Sequence, residues 1–129
     1  MAHLITCLGS QEGFNNVNKI IESKLFTKVY IITSDFGKQN YILPHVDSNI
    51  KLHFITLDYT KPIEDIVPEL YIILKKHFAN DKIQELDMAV NITSGTGKEH
   101  SIIISTIMKL GYGIRLVDLD KDGNILEMM

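Results

Sequence analysis

The sequence predicts an α/β fold: a Rossmann-like three-layer αβα sandwich on a mostly parallel central sheet of about six strands, with an antiparallel C-terminal edge hairpin. Three observations carry that expectation. Short apolar runs, too brief for helices, alternate with segments of helical periodicity. Two of the strand-to-helix connections are rich in small and polar residues. The last two strand-like runs are separated only by Asp120-Lys121-Asp122-Gly123, a tight-turn sequence.

In chain order, His3 to Leu8 is an apolar run ended by Gly9 and reads as a buried first strand. Phe14, Val17, Ile20, Ile21 and Leu25 then recur at helical spacing, which predicts an amphipathic first helix. Lys28 to Thr33 is a second strand, followed by Ser34-Asp35 with turn or capping chemistry. The stretch from Asp35 to Asn49 is only weakly periodic and contains Gly37 and Pro44, giving a short helix over Lys38 to Leu43 and then loop. Lys51 to Leu57 alternates as a third strand.

Pro62 suits the first turn of a helix, whose apolar face is Ile63, Ile66, Val67, Leu70, Ile73, Leu74 and Phe78; Pro68 inside it should introduce a kink. Asp87 to Ile92 is a fourth strand, and Glu99 to Leu110 a helix with Gly111 as its C-terminal glycine. Gly113 to Leu119 and Asn124 to Met129 complete the sheet as a hairpin. Residues 1–129 form one domain with no internal linker.

Composition narrows the function. The formal net charge of −3 argues against a protein that coats duplex nucleic acid, because counterion release needs a strongly basic face. Cys7 is the sole cysteine, sits within an apolar strand and reads as a small buried hydrophobe, which fits a reducing, cytoplasmic setting. The N-terminus lacks signal-peptide character, and no apolar run approaches the roughly 18 residues of a membrane span.

In an open α/β sheet, ligands bind beyond the carboxyl ends of the strands where strand order reverses, so the loops after the first and fourth strands are the candidates. The segment Asn91-Ile92-Thr93-Ser94-Gly95-Thr96-Gly97-Lys98 places glycines, hydroxyls, an amide and a lysine ahead of a helix. Glycines allow close backbone approach, hydroxyls donate to phosphate oxygens and a helix N-terminus favours negative charge. A P-loop is excluded: Ile92 stands where its first glycine belongs, and Glu99 stands where a magnesium-binding hydroxyl belongs. The first loop, Gly9-Ser10-Gln11-Glu12-Gly13, lacks the third glycine of a dinucleotide fingerprint, Asn16 standing near its place; Ser10 and Gln11 either hold a polar ligand or merely form a capped turn.

The remaining motifs are weak. Asp118 to Gly123 begins like a calcium-binding loop, but its twelfth position is Met129 instead of glutamate. His3, His45, His53, His77 and His100 show no histidine pair at ligand spacing, so no metal site is expected. His100 lies in the first turn after the glycine loop, where it faces a ligand, the surface or the core. Ser10 lacks a nucleophile elbow, and Cys7 lies inside a strand, so a hydrolase triad has little support.

The opening strand with its Gly9-Ser10 exit, together with Asn91 to Lys98, resembles the CARF domains, the Rossmann-like sensors of CRISPR type III antiviral defence; the resemblance extends over essentially the whole chain. It implies a homodimer that binds cyclic oligoadenylate, with cyclic tetra-adenylate the leading ring, across the two-fold axis, and no cofactor. The ligand-binding residues it implies are Gly9, Ser10, Gln11, Asn91, Thr93, Ser94, Gly95, Thr96, Gly97, Lys98 and His100.

Some CARF proteins that stand alone resemble ring nucleases. Their serine and lysine match Ser10 and Lys98, which would then be catalytic in slow, metal-independent cleavage to 2′,3′-cyclic phosphate products. Binding without cleavage is the alternative. Others are the sensor half of a transcriptional regulator whose DNA-binding domain lies elsewhere, since no basic helix here would bind duplex DNA, and a generic nucleotide-binding α/β subunit.

Overall fold

A computed structural model describes residues 3–9 and 13–128. Its strands are β1 (His3–Leu8), β2 (Lys28–Thr33), β3 (Lys51–Thr56), β4 (Asp87–Asn91), β5 (Gly113–Leu119) and β6 (Ile125–Met128). Its helices are α1 (Phe14–Glu22), α2 (Asp35–Asn40), α3 (Ile63–Asn80) and α4 (Gly97–Lys109). The sheet order is β3-β2-β1-β4-β5-β6, with every pairing parallel except β5 with β6. This is the expected Rossmann-like sandwich with its antiparallel edge hairpin.

Strand alternation divides the core into two layers. Ile5, Cys7, Tyr30, Ile32, Met88 and Val90 point to the side covered by α3 and α4, where Leu70, Leu74, Ile103 and Ile107 meet them. Leu4, Leu8, Val29, Ile31 and Ala89 point to the other side, covered by Val17, Ile20 and Ile21 of α1. Successive residues along each strand thus face opposite helix layers.

Three helix boundaries are corrected. Helix α1 ends at Glu22, not near Leu25: the Ser23 hydroxyl donates to the Ile20 carbonyl at 2.6 Å, Lys24 turns to φ +63°, and Leu25 is left exposed. Helix α2 lies three residues earlier than expected, because the Ser34 hydroxyl caps it by accepting the Gly37 amide. Gly37 is required there, since a Cβ would stand 1.9 Å from Thr33 Oγ1. Helix α4 begins at Gly97, before Glu99, and α3 spans Ile63–Asn80 with Pro68 inside it. Gly111 takes φ +91° just beyond the α4 C-cap, as expected of a terminating glycine.

Candidate functional site

Strand order reverses between β1 and β4, which pair directly through Leu4–Ala89, Ile5–Val90 and Thr6–Asn91. The two chemically suggestive loops therefore leave neighbouring strands at the position where open α/β sheets bind ligands.

The loops are packed closely on one another. The Gly9 amide donates to Ser94 Oγ at 2.9 Å. A Cβ on Gly9 would lie 2.4 Å from the Gly95 Cα, and one on Gly13 would lie 2.3 Å from the Ser94 Cβ. Gly95 itself takes φ +103° and sits against the Cys7 sulfur. These three glycines thus serve the contact between loops; Gly97, where an added Cβ would meet nothing within 4 Å, is the one that faces open space.

Beneath them is a buried polar network. Asn91, the last residue of β4, is fully buried; its Oδ1 accepts from Thr6 Oγ1 at 3.1 Å and from Thr93 Oγ1 at 3.0 Å, while its amide donates to the Val117 carbonyl at 2.9 Å. One side chain thereby ties β1, β4 and β5 together. Asn91 and Ser94, expected at the ligand, have their side chains in the interior and shape the loop from below. Thr93 faces Asn91 from a half-buried position.

The upper surface is formed by Thr96, Gly97 and Lys98, all exposed. Thr96 caps α4 in a reciprocal box: its hydroxyl accepts from the Glu99 amide at 3.3 Å, and buried Glu99 accepts from the Thr96 amide at 2.6 Å. The amides of Gly97 and Lys98 have no partner among the described residues. They are free donors at the positive end of a helix dipole.

The Lys98 ammonium donates to the carbonyls of Tyr59 at 2.7 Å and Lys61 at 3.0 Å, which fixes it over the loop after β3. His100 is half-buried, its Nε2 lying 2.8 Å from the Ser94 carbonyl, so it braces the glycine loop. Ser10 and Gln11 lie outside the described residues.

Sequence reasoning missed two contributors. The Thr96-x-x-Glu99 spacing was a visible capping-box signal. Nothing in the sequence announced the segment from Asp58 to Lys61, which reaches the site only because β3 and β4 end on the same side of the sheet. There Thr60 donates to Asp58 from both hydroxyl and amide, holding that carboxyl below its usual range, with Lys61 and Lys98 adding to the effect. The hydroxyl of Tyr59 is buried without a hydrogen-bond partner, and burial together with Cys7 and Glu99 raises its pKa. Burial likewise pushes the Cys7 thiol up, so Cys7 packs as a hydrophobe and supplies no thiolate.

No protein-family model and no curated protein matches this chain. Among solved structures, the chain is similar to Enterococcus italicus Csm6 bound to cyclic hexa-2′-fluoro-hexa-dAMP, with a TM-score of 0.64 and 11% sequence identity. The match covers 94% of this chain and 34% of that protein, so the chain spans about a third of the neighbour's length. At that identity, the likeness is one of fold: a six-stranded Rossmann-like domain of the kind found in Csm6.

Proposed function

We propose that this chain is a CARF-type sensor domain that binds cyclic oligoadenylate across a homodimer in the cytoplasm, as part of CRISPR type III antiviral signalling. The observation that carries this reading is the pair of unpartnered amides, Gly97 and Lys98, standing over the packed loops at the β1/β4 reversal. Backbone donors at a helix N-terminus suit a phosphodiester, and the same fold occurs in a protein solved with a cyclic oligonucleotide.

A ring with internal symmetry is matched by two copies of one site. The outer face of the α3–α4 layer offers surface for that pairing: Ile72 and Met108 are exposed, and a groove runs along Pro68, Tyr71, Ile72 and Lys109. Ile102, Ile103 and Ile107 are buried within the protomer, so the pairing falls to these outer residues.

The same reading extends to cleavage. An ammonium has three N–H donors, and Lys98 directs two of them at backbone carbonyls, leaving one for a phosphate oxygen. In-line attack by a ribose 2′-hydroxyl would form the new 2′-oxygen to phosphorus bond and break the bond to the 5′-oxygen. The 2′-hydroxyl proton departs, the 5′-oxygen is protonated, and a 2′,3′-cyclic phosphate end remains. Lys98 would stabilise the charge on the phosphate, with Ser10 as its partner from the first loop.

The test is incubation of the protein, with chelator, with cyclic tetra-adenylate and cyclic hexa-adenylate, beside Ser10→Ala and Lys98→Ala variants. Linear products from the parent that are lost in both variants support the ring nuclease. The Lys98→Ala variant is also expected to bind about tenfold more weakly, the scale of one charge-assisted hydrogen bond. Tight binding with the ring intact removes the cleavage step but keeps the sensor; no binding of either ring overturns the reading.

A further inference from the structure

At the opposite end of the molecule from the glycine loops, three side chains from two elements converge. His53 lies in the first half of β3; His77 and Asp81 lie at the C-terminal end of α3, which runs back across the sheet. One ligand atom from each comes within 4.8 Å of the others, and all three residues are half-buried. From this geometry we infer a divalent transition-metal site, fitted best to zinc, with His53, His77 and Asp81 as ligands.

The distances suit such an ion after a small contraction. Zinc bonds of 2.0–2.1 Å in tetrahedral arrangement place neighbouring ligand atoms about 3.3 Å apart. His53 Nε2 and Asp81 Oδ2 already stand 3.2 Å apart. The ligand atoms of the three residues lie within 4.8 Å of one another, so closing the remaining corners requires contractions of up to about 1.5 Å.

A simple histidine–carboxylate pair explains less. It would need His53 and Asp81 only, leaving the second imidazole beside the first with no carboxylate of its own. His53 Nε2 is buried and stands 3.2 Å from Asp81 Oδ2 without an aligned hydrogen bond, an arrangement that a shared ion would satisfy.

The surroundings hold the ligands as a metal site requires. The Tyr30 hydroxyl donates to Asp81 Oδ2 at 2.5 Å, and the Tyr30 ring stacks on His53 at 5.2 Å and 14°. The Lys28 ammonium donates to the Asp81 carbonyl at 2.7 Å, fixing the end of α3.

Two nitrogen ligands and one oxygen select against magnesium and calcium, which take oxygen shells. Three protein ligands leave a fourth position for water or another small donor.

This site is independent of the cyclic-nucleotide reading and is tested separately. Cobalt(II) reports coordination geometry through its visible absorption. The intact chain is expected to bind one equivalent with intense bands of tetrahedral type, bleached by zinc. His53→Ala and His77→Ala are each expected to weaken binding at least tenfold with unchanged circular dichroism, whereas His45→Ala binds like the parent. Should an alanine variant lose its fold, His77→Gln retains the volume and is expected to show the same loss. Absence of tetrahedral bands, or parental affinity in a folded His53 or His77 variant, overturns the assignment.

Discussion

Beyond the carboxyl ends of β1 and β4, the loops meet through main chain and the small Ser94 side chain, with Gly9 and Gly13 close against Ser94 and Gly95 and amides facing outward. Towards the amino ends of β2 and β3, the contacts are made by large side chains: Tyr30 on His53, His77 beside both, and Asp81 beneath the Tyr30 hydroxyl. A backbone-built surface needs small residues in consecutive positions, which are visible along the chain. A side-chain-built cluster needs only that distant residues meet, which topology decides.

The sharpest way to break that contrast is to add one methyl group at each of two glycines. Gly9→Ala places a Cβ 2.4 Å from the Gly95 Cα, and backbone cannot swing aside as a flexible side chain can. It is expected to lower stability by about 3 kcal/mol in urea unfolding, the upper range of overpacking effects. Gly97→Ala meets open space in the first turn of α4 and is expected to gain up to about 1 kcal/mol from helix propensity. Equal stabilities for the two variants would mean that the loops are not packed on one another.

A smaller effect is expected at Asn91. Its replacement by alanine leaves the Thr6 hydroxyl and the Val117 carbonyl unpaired in a buried setting, and removes the acceptor of Thr93. Unfolding should become about 2 kcal/mol easier. Because Asn91 supports the loop from below, ligand binding should weaken together with stability in this variant. Lys98→Ala, at the exposed surface, should lower binding with stability close to the parent. Loss of binding in Asn91→Ala with undiminished stability would instead make Asn91 a direct ligand contact.

The legibility of the chain follows the same division. Strands β1 and β2 have the boundaries expected of apolar runs ended by glycine or polar residues, because burial on both faces leaves no polar alternation to blur them. Helix α2 was displaced because Ser34 competed with the weak periodicity around Lys38 and prevailed through its cap. At the candidate site, residue types from Gly9 to Gly13 and Asn91 to Lys98 identified the loops, but not which side chains turn inward. Asn91 and Ser94 look as ligand-like in sequence as Thr96 does; their burial follows from strand pairing with Thr6 and loop contact with Gly9. The cluster of His53, His77 and Asp81 escaped a search for paired histidines. His77 and Asp81 are four residues apart at a helix end, and only the return of α3 across β3 brings His53 to them.

The side-chain-built end should also be the one that responds to mild acid, and His3 isolates the smallest part of that response. His3 begins β1, its Nδ1 is 2.6 Å from Glu85 Oε1, and Lys28 lies close enough to disfavour its protonation. Burial is the largest influence and outweighs the Glu85 carboxylate, so its pKa falls below the ordinary 6.5. A histidine depressed in the folded state takes up its proton more readily when unfolded. Its contribution is therefore complete above the ordinary value and declines as pH falls through it towards the folded value. Urea midpoints at about pH 7.5 and about pH 5.5 should show the parent losing stability relative to His3→Gln, which cannot titrate. If the parent gains on that variant instead, the ion pair with Glu85 outweighs burial, and the amino end of β1 is held by charge.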